Sequence, residues 1–263
     1  MTVTIHDLSA WKDQGRRFVM LTAYDYPTAR ILDAAGIPVL LVGDSLGQTV
    51  LGYETTLPVT MEEMLHHTKA VTKGAGNALV VGDMPFLSYQ ASVEQGITNA
   101  GHFLKEAGAH AVKVEGAQTT LTEALTDLGI PVMGHLGLTP QSVRGMGGYH
   151  VQGRTEEAAR MLLDDALSLE KAGAFSLVLE GIPRDVGLEI TSSLHIPTIG
   201  IGAGPDTDAQ VLVLTDLLGL GDNPPPKFAK AYADVGARIT EAATAFRRDV
   251  EDGAFPDDAH SYH

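Results

Sequence analysis

The 263-residue sequence contains no cysteine. That excludes disulfides, thiolate metal sites and cysteine nucleophiles, and it suits a reducing compartment. Basic residues are few: 18 Lys and Arg stand against 33 Asp and Glu, a formal net charge of −15. A chain this acidic repels phosphate backbones, which argues against nucleic-acid binding. No apolar run is long enough to span a bilayer, so no membrane insertion is expected. The opening stretch MTVTIHDLSAWKDQ lacks the basic and apolar regions of a secretory signal, and a cytoplasmic protein is the expectation.

What the chain does have is repetition of pattern. Eight short apolar runs recur: FVMLTA (18–23), VLLVGDS (39–45), ALVVGDMPF (78–86), AVKVEG (111–116), PVMGHLG (131–137), FSLVLEG (175–181), PTIGIGAG (197–204) and AQVLVLTD (209–216). They are near-continuous hydrophobic segments, as strands covered on both faces are. The stretches between them are long enough for crossover helices. Thr60 with Glu63, Ser92 with Gln95 and Thr120 with Glu123 have the capping-box spacing that starts a helix. Eight βα units in this length predict a (β/α)8 barrel, with a doubly wound open sheet as the alternative. An extra N-terminal helix over 1–14 and a long C-terminal helix over 227–252 flank it. The prolines of NPPP (223–226) predict a loop before the latter. No composition break divides the chain, so one domain over 1–263 is expected.

Acidic residues fall where such runs end. The expected second strand ends in Gly43-Asp44-Ser45, the third in Gly82-Asp83, the fourth in Glu115-Gly116 and the sixth in Glu180-Gly181; His135 ends the fifth. In a parallel barrel all these ends share one rim, where active sites of this fold lie. Lys113 precedes Glu115 by two residues, so both point to one face. Together they face the barrel mouth or form a structural ion pair. Clustered carboxylates repel, and a divalent cation relieves this; an oxygen-rich set without thiolates favours Mg²⁺ or another hard ion. Asp44, Asp83 and Glu115 are the candidate metal residues, leaving Glu180 for another role. Taken singly, each Asp also reads as a helix N-cap, and His135 as a hydrogen-bonded core histidine. GIGAG (200–204) reads as a close-packed turn near the site, HHTK (66–69) as solvated helix surface, and HSYH (260–263) as a loose tail.

The blocks LTAYDY (21–26), LVGDSLGQTVLGYETTLPVT (41–60), VVGDMPF (80–86), VKVEG (112–116), GHLGLTPQS (134–142) and IGIGAG (199–204) resemble the ketopantoate hydroxymethyltransferase family of pantothenate, hence coenzyme A, biosynthesis. The likeness covers about residues 4–263. It implies a (β/α)8 barrel that transfers a hydroxymethyl group from 5,10-methylenetetrahydrofolate, the co-substrate, to C3 of 3-methyl-2-oxobutanoate, giving ketopantoate. It further implies Mg²⁺ near Asp44, Asp83 and Glu115, and substrate contacts from Asp44, Ser45, Asp83 and Lys113, with His135 close by. Glu180 is the implied proton acceptor, and the implied assembly is a homo-oligomer, a decamer.

Elementary chemistry agrees. A 2-oxo acid chelates a metal through its keto and carboxylate oxygens, and the metal stabilises the enolate. A positioned carboxylate can then remove the C3 proton. Lyases and mutases of the phosphoenolpyruvate mutase and isocitrate lyase group act on other 2-oxo acids, but their K-x-C-G signature needs the cysteine that is missing here. A Schiff base on Lys113 is disfavoured, because neighbouring acids keep the amine protonated. The remaining alternative is a non-catalytic metal- or oxo-acid-binding protein.

Overall fold

The computed structural model describes residues 2–221 and 225–262. Residues 223 and 224 of the expected NPPP loop, and the last residue of the HSYH tail, lie outside them. The chain falls into two compact units, one ending at Val213 and one beginning at Leu214.

The first unit holds a closed barrel of eight parallel strands in sequence order. These are β1 (Phe18–Thr22), β2 (Val39–Val42), β3 (Leu79–Asp83), β4 (Ala111–Glu115), β5 (Val132–Gly137), β6 (Ser176–Glu180), β7 (Thr198–Ile201) and β8 (Ala209–Leu212). The ring closes where β1 pairs with β8, from Phe18 opposite Ala209 to Leu21 opposite Leu212. Every expected run contains a strand. The eighth is shorter than its run, because a helix begins at Leu214. Helices of nine or more residues follow most strands, at Tyr26–Ala34, Met61–Gly74, Val93–Lys105, Thr119–Asp127, Glu156–Lys171 and Arg184–Ser193. Residues 202–208, between β7 and β8, hold no helix.

Period-two alternation explains the inside of the ring. Phe18 and Met20, Val39 and Leu41, Leu79 and Val81, Ala111, Met133, Val178, Ile199 and Ile201, and Ala209 and Val211 form one buried cluster. Two residues further along the same faces come Asp83 on β3, Lys113 and Glu115 on β4, His135 on β5 and Glu180 on β6. The barrel interior is therefore apolar toward the strand N-termini and polar toward their C-termini. This is why a lysine and a glutamate interrupt AVKVEG.

The N-terminal helix, Ile5–Asp13, packs Leu8 and Trp11 against the apolar cluster. Thr4 and Asp7 cap it reciprocally. Lys12 reaches Asp208 at 2.8 Å, and Asp208 also accepts from the Thr198 N–H, which ties this helix to the start of β7. The capping box at Thr60 and Glu63 forms with both arms. Ser92 accepts from the Gln95 N–H, but the Gln95 side chain donates to Leu87 O instead of returning. Thr120 and Glu123 form no box: the helix begins one residue before Thr120 with Gln118 at its cap, and Thr120 is already inside the first turn.

HHTK is only partly solvated. His66 and Lys69 are exposed, whereas Thr68 is buried and His67 Nδ1 lies 2.6 Å from Tyr24 O. The GIGAG turn is close-packed as expected: a Cβ at Gly204 would meet Arg184 Cγ at 2.6 Å.

In the second unit the long helix runs Val235–Glu251 and not from 227. The Tyr232 N–H is taken by Leu217 O, and Asp234 caps the helix by accepting from the Ala237 N–H. The tail is less loose than expected. His260 lies against the Phe255 ring at 5.3 Å and bonds Asp257 through a 3₁₀ turn, leaving Tyr262 fully exposed. Among the described residues no helix is long and apolar enough to cross a membrane.

Candidate active site

Asp44, Asp83, Lys113, Glu115 and His135 are all buried, with 5% or less of each residue exposed. Five charged or titratable groups under so little solvent must satisfy one another. Lys113 Nζ sits 2.9 Å from Asp83 Oδ1 and 3.7 Å from Glu115 Oε1. It is also 3.2 Å from His135 Nδ1, which in turn lies 3.4 Å from Glu115 Oε1. On the other edge of the imidazole, Nε2 is 3.3 Å from Glu180 Oε2. Glu180 is the most accessible of the set, its side chain 17% exposed. The chain Asp83–Lys113–Glu115–His135–Glu180 thus crosses four neighbouring strands.

Strand geometry holds Glu180 in place. Gly137, opposite it on β5, has φ +93°, and a Cβ there would meet Glu180 O at 2.2 Å. Only glycine tolerates both that backbone and that approach. Asp44 and Ser45 come from the turn after β2. The Asp44 N–H donates to Asp83 Oδ2 at 3.1 Å, joining the two aspartates. Ser45 Oγ is 3.0 Å from the buried Tyr24 hydroxyl. Neither aspartate caps a helix through its side chain.

The charges do not balance locally. Burial lifts the Asp44 carboxyl well above its ordinary value, and the charges of Asp83 and Glu115 lift it further. Asp83 is raised too, by burial first, with Lys113 opposing and Glu115 reinforcing. For Glu115, burial is outweighed by Lys113 and His135, and its carboxyl is held low. Burial would depress Lys113, but Asp83, Glu115 and Asp44 push it up, so the ammonium stays charged. His135 is depressed by burial and by Lys113, yet Glu115 and Glu180 raise it to about 9.

Asp83 Oδ1 is buried and makes no aligned hydrogen bond, although Lys113 lies beside it. With two repelling aspartates and oxygen donors only, this corner fits a hard divalent cation. Glu115 is more committed. Its Oε2 accepts the Gln141 N–H at 3.0 Å, while Oε1 faces Lys113 and His135. Among the described residues no three His, Asp or Glu side chains gather as an all-protein metal cage.

Three further contributors are not among the site residues that the sequence singles out, although Tyr24 lies in the LTAYDY block and Gln141 in the GHLGLTPQS block. Gln141 bonds Asp44, Tyr89 bonds Gln141 and the Glu115 N–H, and Tyr24 bonds Ser45. Their partners lie 21 to 97 residues away, so only the folded ring brings them together. Tyr149, half-exposed on the loop after β5, feels the charges of Asp44, Glu180 and Glu115; burial is the first cause of its raised pKa.

Comparison with known proteins agrees with this architecture. The chain is 57% identical over 262 residues to the 3-methyl-2-oxobutanoate hydroxymethyltransferase of Thermobifida fusca (strain YX), covering 99% of this chain and 93% of that one. The fold is shared with 2,3-dimethylmalate lyase, described as a PEP mutase/isocitrate lyase superfamily member, at TM-score 0.62, 17% identity and coverage of 99% and 92%. It is shared equally with phosphonopyruvate hydrolase, solved in complex with oxalate and Mg²⁺, at TM-score 0.62, 15% identity and coverage of 99% and 93%. At those identities the two structures speak for the barrel alone. Residues 2–258 match the family model described as ketopantoate hydroxymethyltransferase, and with a relative this similar over nearly its whole length, the chain belongs to that family.

Proposed function

We propose that the chain transfers a hydroxymethyl group from 5,10-methylenetetrahydrofolate to C3 of 3-methyl-2-oxobutanoate, with uptake of water, giving 2-dehydropantoate and tetrahydrofolate. The observation that carries this reading is the placing of Asp44, Asp83, Lys113 and Glu180 at one barrel mouth in a member of this family. Asp44 and Asp83 would hold Mg²⁺, with Glu115 behind them keeping Lys113 and His135 in place. A two-carboxylate site suits this ion, which is commonly bound through one or two carboxylates with substrate and water completing the shell. When bound, Mg²⁺ supplies Lewis acidity that makes the C3 proton of a chelated 2-oxo acid easier to remove.

The chain's own residues do the rest. Lys113 and Ser45 hold the substrate carboxylate, the lysine as a fixed charge and the serine oriented by Tyr24. His135, set between Glu115 and Glu180, orients the base. Glu180 takes the C3 proton, and the electron pair left at C3 forms the new bond to the methylene carbon as one folate C–N bond breaks, that nitrogen receiving the proton. Water then replaces the second C–N bond, its oxygen staying on the carbon as the hydroxyl and its proton going to the other nitrogen, which releases tetrahydrofolate. A cytoplasmic homo-oligomer, decameric as the resemblance implies, without nucleic-acid or membrane partners, completes the reading. Sedimentation tests the assembly.

The chemical test is exchange of the C3 proton of 3-methyl-2-oxobutanoate in D₂O, followed by NMR with Mg²⁺ and with chelator. Metal-dependent exchange, followed by 2-dehydropantoate when the folate is added, is the expected result. No exchange with Mg²⁺, with or without tetrahydrofolate, would remove this substrate from consideration.

A further inference from the structure

We propose that Gln141 is the positioning residue of the metal corner: it fixes the Asp44 carboxylate through an amide whose orientation is set by Tyr89 and Gln90. The inference rests on the reading that Asp44 and Asp83 hold a divalent cation.

Gln141 sits on the 3₁₀ turn Pro140–Ser142 after β5 and is 5% exposed. A buried amide must place two donors and one acceptor. Its Oε1 accepts from the Tyr89 hydroxyl at 2.8 Å and from Gln90 Nε2 at 3.2 Å. That turns the NH₂ the other way, where Nε2 donates to Asp44 Oδ2 at 2.9 Å and to Met84 O at 2.9 Å. The backbone N–H of the same residue donates to Glu115 Oε2 at 3.0 Å. One residue from the β5 loop therefore reaches the ends of β2, β3 and β4.

The orientation is not interchangeable. A flipped amide would set Oε1 against a carboxylate and a carbonyl, and its NH₂ against the Gln90 NH₂. Tyr89 reinforces the choice: it accepts the Glu115 N–H at 3.1 Å, and its own hydrogen is directed to Gln141, with Glu115 O the more distant alternative at 3.4 Å. The amide engages one lone pair of Asp44 Oδ2 and so fixes the plane of the carboxylate, leaving its remaining lone pairs for a cation. Groups of this kind, which orient ligands without touching the metal, commonly govern affinity.

The test compares wild type, Gln141→Met and Tyr89→Phe in two assays. One is Mn²⁺ binding without substrate, read by loss of the free-ion signal in electron paramagnetic resonance. The other is the Mg²⁺ dependence of turnover. Gln141→Met keeps length but removes both donors, and is expected to weaken Mn²⁺ binding by about 10–100-fold. Its turnover should climb back as Mg²⁺ is raised, which damage to the fold would not allow. Tyr89→Phe should move Mn²⁺ affinity the same way by less. If circular dichroism shows Gln141→Met unfolded, Tyr89→Phe decides alone. Variants that bind Mn²⁺ like the wild type overturn the role of Gln141 and leave the metal reading standing. A wild type that binds no Mn²⁺ overturns both.

Discussion

At the scale of single residues, Glu180 separates binding from chemistry. It is the one acid of the set with appreciable exposure, and its closest charged partner is His135. Glu180→Gln keeps the size and removes the base. Turnover should fall by about 10²–10⁴-fold, the usual worth of a general base, while Mn²⁺ and substrate affinities, measured by calorimetry, stay near wild type. Equal turnover would take Glu180 out of the mechanism. The acids and Lys113 could be found in the sequence because charges inside apolar runs are conspicuous and strand parity says which share a face. Nothing in the residue pattern singles out Tyr89, or Gln141 within the GHLGLTPQS block. A polar uncharged residue in a loop looks solvated until the fold closes over it, and their partners come from other strands.

Between elements, hydrogen bonds to side chains distinguish real caps from spacing alone. Thr60 and Glu63 satisfy each other at the start of Met61–Gly74, whereas Thr120 has no such role. Thr60→Ala should cost about 1 kcal/mol in chemical denaturation, and Thr120→Ala within about 0.5 kcal/mol. Asp33 offers a pH-dependent case. Burial would raise its carboxyl, but N–H groups of Asn77 and Ala78, each 2.8 Å from Oδ1, outweigh that and lower it. It joins the helix Tyr26–Ala34 to the turn before β3. A depressed carboxylate stabilises the fold above its unfolded value of about 3.9, and that contribution is lost as pH falls through the lower folded value. Asp33→Ala should therefore be less stable than wild type at pH 7, with the gap closing below about pH 4; a gap that persists in acid would dismiss the linkage. The strands were legible because both faces are covered, giving unbroken apolar runs. The start of Val235–Glu251 was not, because the Tyr232 N–H finds Leu217 O, a bond that no local pattern announces.

For the molecule as a whole, the net charge of −15 and the acids of the mouth act together to favour cations. A ligand that binds the folded state alone stabilises it, by about 2.7 kcal/mol at a hundred times its dissociation constant. Mg²⁺ should accordingly raise the melting temperature of the wild type, and chelator should reverse the gain. Asp44→Asn should abolish this response. The same substitution has a second consequence. Asp44 and Asp83 lie together under almost no solvent, each lifted from its ordinary ionisation by burial. Without metal they are a liability to the fold, so Asp44→Asn should melt higher than wild type in chelator while remaining inactive. Stability and usefulness are opposed at this one corner of the barrel. A lineage selected for heat tolerance alone, freed from the need to turn over substrate, would discard this aspartate early.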